Sequence, residues 1–278
     1  MPERLTPLEL DFLWEAAGAG ELPYPLRPRS HGETMEERAV LRRKVLAELA
    51  QRGLADGEGK PEPFVEDWFG VLAVPEVSLD SVQVSAPEAE PRLSTAAAVG
   101  TLGVLAVQDQ QGISVEKITS DGLAGAIVGL LPSAPRGKEK SITVPLEQLL
   151  SGPGVDFLQR RAPSPGGSSA ASPWDGGGER GEGKAGADED RKALARLHAQ
   201  PRLRGGQLGA NARGRSGGRV RMPVLSWFDT ETGRYFTQAT QGGDGRDWIT
   251  IAPADAATLR HRLSEMLAGA LGSTAASL

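Results

Sequence analysis

Residues 93–131 read LSTAAAVGTLGVLAVQDQQGISVEKITSDGLAGAIVGLL, and this stretch decides the fold class of the chain. Its first part, 93–107, is rich in Ala, Gly, Val and Leu, and Asp109-Gln110-Gln111-Gly112 has the chemistry of a hairpin turn. Ile113, Val115 and Ile118 supply the returning strand. Ser120 or Asp121 can cap a following helix over 122–131, which is apolar nearly all round and ends at Pro132. Hairpin strands followed by a helix that must bury its surface against them define an α+β layer.

The same order returns near the C-terminus. A strand over 220–228 leads through Asp229-Thr230-Glu231-Thr232-Gly233 into a strand over 234–240. Gly242-Gly243-Asp244-Gly245 turns into a strand over 248–251, and a helix over 253–267 follows. Leu259, Leu263, Met266, Leu267 and Leu271 form one apolar stripe on that helix, with Asp255 placed favourably near its N-terminus. The match is of pattern, since the strand-to-helix spacings differ. It predicts two quasi-symmetric α+β lobes around a central antiparallel sheet with flanking helical bundles.

Further outward, Thr6, Pro7 and Glu9 open a short helix, and the prolines of 22–28 hold that run extended. A helix over 34–52 carries Leu41, Val45, Leu46 and Leu49 at helical spacing. A helix from 61–63 onward buries Phe64, Trp68, Phe69 and Leu72, and the two read as packed partners. Val77, Leu79, Val82 and Val84 begin the strands, 141–144 is one more short strand, and 188–199 is a helix with Leu194 and Leu197. Across 159–190 the only large apolar residue is Trp174. Such a run cannot bury enough surface to offset its ordering entropy. The expected organisation is therefore an N-terminal lobe at 1–150, a disordered Gly/Ser/Pro-rich insertion at 151–188, a C-terminal lobe at 189–271 and a flexible tail at 272–278.

The 278 residues suffice for one large domain or two small ones. A net charge of −5 argues against nucleic acid as the main partner. The absence of cysteine removes disulfides and thiolate chemistry. No signal-peptide pattern and no run of about 18 apolar residues is present, so the reading is cytoplasmic, without membrane insertion.

Several chemical motifs fail on context. Gly178 to Lys184 has P-loop spacing, but Ala185 stands where a Ser or Thr should hold magnesium and no buried strand precedes it. His31, His198 and His261 lie in separate elements, with no second ligand at metal spacing. Asp229 and Glu231 read as turn formers rather than a carboxylate pair. No catalytic residue, cofactor site or metal site is predicted, and the chain reads as a binding protein, not an enzyme. Arg202, Arg204, Arg213, Arg215, Arg219 and Arg221 read as a solvated edge strand or loop, with an acidic protein partner as the functional variant. Trp227 and Phe228 point to opposite faces of their strand, and Tyr235 and Phe236 repeat this on the next. Either both faces are covered, or one aromatic-lined face awaits a partner. On the second reading the strand carries Val220, Met222, Val224 and Phe228 on one face, interrupted only by Ser226. Leu225 and Trp227 meet the C-terminal helix, and the face from Val224 through Ser226 to Phe228, with Tyr235 or Phe236 beside it, is the docking face.

Taken in order, these segments resemble the EspG family of type VII (ESX) secretion chaperones. The resemblance rests on Leu5-Thr6-Pro7-Leu8-Glu9-Leu10, Arg52-Gly53-Leu54, Val224-Leu225-Ser226-Trp227-Phe228-Asp229 with Gly233-Arg234-Tyr235, and Trp248 to Asp255 before a Leu-rich helix. It covers 1–150 and 189–270. It implies two quasi-symmetric lobes and a cytosolic chaperone or adaptor that binds helical PE/PPE-like or WXG-like substrates before export. It also implies that a substrate's helical tip docks on the central sheet and the C-terminal helical part. The alternative is a nucleic-acid-associated protein using the Arg-rich 202–221 stretch.

Overall fold

Thr6 closes a reciprocal cap in the structure. The Glu9 N–H donates to its hydroxyl at 3.2 Å, and its own N–H donates to the Glu9 carboxylate at 2.7 Å. Two otherwise orphaned donors are thereby satisfied at the start of α1 (Pro7–Ala16). This computed structural model describes residues 2–27, 29–147, 183–214, 217–243 and 245–275. The expected disordered insertion lies outside these residues up to position 182.

Strand β1 (Glu3–Leu5) precedes α1, and α2 (Met35–Gln51), capped by Thr34, and α3 (Pro63–Ala73) follow it. The close helix pair is α1 with α2, not α2 with α3 as the sequence suggested. Then come β2 (Val77–Val84), β3 (Arg92–Val99), β4 (Leu102–Asp109), β5 (Gly112–Thr119) and α4 (Leu123–Gly129). The apolar run 93–107 forms two strands. They are split by a two-residue turn at Gly100, whose φ of 56° is open to glycine at no steric cost. Thr101 beside it carries no turn signature.

The second set begins with β6 (Ile142–Pro145) and α5 (Gly183–His198). It continues with β7 (Arg204–Arg213), β8 (Arg219–Arg221), β9 (Leu225–Thr230), β10 (Gly233–Gln241), β11 (Asp247–Pro253) and α6 (Ala256–Ala275). Residues 272–275, expected as tail, are helical. Among the described residues the eleven strands form one sheet in the order β1-β5-β4-β3-β2-β7-β9-β10-β11-β6, with β8 also on β7. The order is a palindrome about the β2–β7 junction. In each half a first strand returns to the outer edge, four strands form a meander and a helix closes the set. Strand β6, expected within the first lobe at 1–150, pairs antiparallel with β11 at the far edge.

Register assigns the two faces. Leu79, Ala96, Leu105, Leu208, Leu225, Trp227 and Phe236 bury one face under α4 and α6, which also touch each other across the pseudo-twofold. We term this the closed face. On the opposite face, α1 to α3 bury Leu93, Ala97, Val104, Ala106, Ile113 and Val115 of the first half. In the second half α5 brings Leu197 onto Phe228, Tyr235, Ile249 and Ile251. This face is open in its middle, where no described helix packs broadly on β2 or β7.

The expected strand over 220–228 is broken at Pro223. Asn211 pairs with Arg221 and Leu208 with Leu225, so two residues of β7 face three residues between β8 and β9. Proline has no N–H to give to the ladder and sits well in such a bulge. The bulge inverts the alternation. Val220 and Met222 share the closed face with Leu225 and Trp227, while Arg219 and Arg221 share the open face with Ser226 and Phe228. The expectation that Val220, Met222, Val224 and Phe228 line one face is overturned for this reason. The expectation that Leu225 and Trp227 meet the C-terminal helix agrees with the core beneath α6.

Candidate functional site

The open face of the central strands forms a valley between two helical layers. Strand β7 presents Gly205, Gln207, Gly209, Asn211 and Arg213 to it, in alternation with the buried Leu208, Ala210 and Ala212. Gln207 is exposed although it lies on a central strand, and Val82, Val84, Val224 and Ser226 around it are half-buried. Tyr24 stands over one wall and is 61% exposed.

A charged network crosses the midline of this valley. Arg221 on β8 grips Asp80 on β2 through two hydrogen bonds, Nη1 to Oδ2 at 2.6 Å and Nη2 to Oδ1 at 2.9 Å. Asn211 lies between them, accepting from Arg221 at 2.8 Å and donating to Asp80 at 2.9 Å. Gly209 is required beneath: a Cβ there would lie 2.7 Å from both carboxylate oxygens. The Asp80 hydrogen bonds raise the pKa of the Arg221 guanidinium, which also lies 5.3 Å from the centre of the Tyr24 ring. Such fork-on-carboxylate geometry holds three strands and a loop in register. Neither Asp80 nor Asn211 was singled out from sequence, because an acid in strand 77–84 and an Asn among Gly and Ala give no signal until β7 lies beside β2.

The arginines expected on a solvated edge or loop divide, and some are engaged inside the fold. Arg204 and the fully buried Arg234 converge on Asp229 of the closed face. Arg234 Nε donates to Oδ1 at 2.7 Å and Arg204 Nε to Oδ2 at 2.6 Å. Their remaining amines reach the carbonyls of Ser133 and Pro132, tying the connector after α4 to the sheet. Asp229 is therefore a buried acceptor at 2% exposure, not a turn former. Arg202 lies 3.5 Å over the Phe228 ring, and burial pushes its guanidinium down to about 10, still charged at neutral pH. Arg215 lies outside the described residues. Arg213 and Arg219 remain on the open face, where no ion pair reaches either among the described residues.

The five residues expected to dock a partner divide. Val224 and Ser226 lie on the valley. Phe228 and Tyr235, stacked at 5.6 Å, face the same side but are 1% and 0% exposed beneath α5, and Phe236 is buried on the closed face. The aromatic face is covered on both sides, so these three rings offer no open docking surface. His31 is held by Asp11 at 3.2 Å, and no group of three or more His, Asp or Glu among the described residues could hold a metal ion. The P-loop-like run lies outside the described residues, apart from the backbone of Gly183 and Lys184 in α5. No described helix is long and apolar enough to cross a membrane.

The EspG family profile matches residues 6–265, nearly the whole chain. This chain belongs to the EspG family. A solved structure of the Mycobacterium tuberculosis type VII secretion system chaperone EspG5, in complex with a PE25–PPE41 dimer, superposes with a TM-score of 0.66 at 15% identity. The superposition covers 96% of each chain, so the two-lobed EspG fold extends across the sheet and both helical layers. Among curated proteins no sequence match was found.

Proposed function

We propose that this EspG-family chain is a cytoplasmic chaperone of type VII secretion that binds a helical PE/PPE-like substrate before export, without enzymatic activity. The observation that carries the reading is the full-length superposition on a chaperone solved with a PE–PPE pair. We place the docking surface in the central valley, with Val224 and Ser226 of the sequence-based expectation joined by Gln207 and Val84. A sheet that the described helices leave open at its midline offers a strip of mixed apolar and amide surface, suited to the end of a helical hairpin. Three of the six arginines, Arg202, Arg204 and Arg221, are engaged within the fold, which weighs against the nucleic-acid alternative.

The test is capture from the native cytosol with the full chain as bait, followed by mass spectrometry of what is retained. A pair of small helical secretion substrates is the expected catch. Gln207→Trp, at an exposed strand position, should leave the melting temperature unchanged while reducing retention about tenfold or more, as at an interface hot spot. Full retention by that variant places the docking surface elsewhere. Capture of no secretion substrate by the wild type overturns the chaperone reading itself.

A further inference from the structure

The β7–β8 hairpin carries a cost that the free protein does not need. Arg213 and Arg219 are direct cross-strand partners, and Arg221 lies two residues further along on the same face. Like charges placed opposite one another across a ladder are destabilising. Arg221 is neutralised by Asp80, but its two neighbours have no acidic partner among the described residues. The Nε of Arg213 is buried, with no acceptor among the described residues. Burying a donor unsatisfied is unfavourable unless an acceptor arrives from outside. The chain as a whole carries a charge of −5, so this local concentration of positive charge runs against its average.

We propose that the Arg213–Arg219–Arg221 ladder receives the carboxylates of an acidic segment of the cargo, which would enter the valley beside it; this rests on the docking reading above. Carboxylates suit the site on three counts. A guanidinium fork binds them bidentately, as Arg221 already binds Asp80. One carboxylate between Arg213 and Arg219 would both relieve the cross-strand repulsion and supply the missing acceptor. Further along the valley the half-buried Val82, Val84 and Val224 offer apolar contact to the rest of a helix, but no row of rings on which bases could stack. A polyanion such as nucleic acid would also meet the net negative charge of the whole protein.

The first measurement needs no partner. Arg219→Glu places an acid opposite Arg213, and it should raise the melting temperature of the full chain by about 1–3 °C. A lowered melting temperature would overturn the premise that the ladder is held in repulsion. The second measurement uses a defined probe: a 20-residue amidated helical peptide with a leucine stripe and four Glu at one end. Its Glu→Gln analogue and a 20-nucleotide single-stranded DNA serve as the comparison arms. The wild type should bind the Glu peptide about tenfold tighter than the Gln peptide at low salt. Arg213→Ala/Arg219→Ala should remove that preference, and Arg219→Glu should reverse it. Equal binding of the two peptides overturns the proposal, and tighter binding of the DNA reassigns the ladder to nucleic acid. The two readings fail separately. Native cargo retained equally by wild type and the double Ala variant ends the ladder proposal and leaves the chaperone. Selective peptide binding with no cargo captured ends the chaperone reading and leaves the ladder.

Discussion

Strand β7 faces two environments that differ in almost every physical respect. On the closed side Leu208, Ala210 and Ala212 are buried under α6, next to Leu79, Leu225 and Trp227. On the open side the same strand offers Gly205, Gln207, Gly209 and Asn211, with Gln207 exposed to water. An acid–arginine network lies on both sides. Asp229 on the closed face holds Arg234 with 2% of either side chain exposed, whereas the Arg221 side chain over Asp80 is 42% exposed. The difference teaches a division of labour. The two lobes are joined by the β2–β7 ladder and by hydrophobic burial on the closed face, where α4 and α6 meet across the junction. That leaves the other face of the central strands free to be polar and open without loss of the fold.

The largest expected effects lie where both sides are closed. Phe228→Ala should cost about 3–5 kcal/mol in chemical denaturation, because α5 and the Tyr235 ring cannot collapse fully into the space left. A change below about 1 kcal/mol would mean that α5 does not hold its place over the sheet. The two acids then compare the faces directly. Asp229→Ala leaves the fully buried Arg234 charge uncompensated and should cost about 3–5 kcal/mol. Asp80→Ala leaves an arginine that can turn toward water, so about 1–2 kcal/mol is expected. Equal losses in the two variants would mean that the two faces tolerate an unpaired arginine alike.

The smallest effect concerns the helix that closes the covered face. Asp255 precedes α6 and accepts from the Thr258 N–H at 2.8 Å and its hydroxyl at 2.9 Å. The backbone hydrogen bond, then the hydroxyl, hold its carboxyl below the usual carboxylate range. A carboxyl whose folded pKa is depressed contributes stability above its unfolded pKa of about 3.9, and this is lost as pH falls through the folded value. Asp255→Ala should therefore cost about 0.5–2 kcal/mol at neutral pH, as for other helix N-caps. The gap from the wild type should narrow below about pH 4. A gap that stays constant between pH 7 and pH 3 would show that the charge of Asp255 plays no part.

Much of this protein is determined by local chemistry and is readable from sequence. Thr6 with Glu9 marks a helix start because a hydroxyl and a carboxylate at fixed spacing satisfy orphan N–H groups. Asp109 to Gly112 marks a hairpin, and the repeated order of hairpins and closing helix predicted two lobes on one sheet. The chain belongs to the family its segment order resembles, and its fold is the expected one. What sequence could not show depended on contacts between distant segments. Strand β7 was hidden because its closed-face positions are small, Leu208, Ala210 and Ala212, and glycines and arginines occupy the rest; it becomes a strand only by pairing with β2 and β9. The Pro223 bulge moved Val220 and Met222 to the opposite face from Phe228, since side chains alternate with period two and one extra residue inverts everything before it. Whether Phe228 and Tyr235 were covered or open was decided by α5, which is distant from them in sequence and bridges no local pattern. The valley itself exists only in the tertiary structure, because it is defined by where the helices stop.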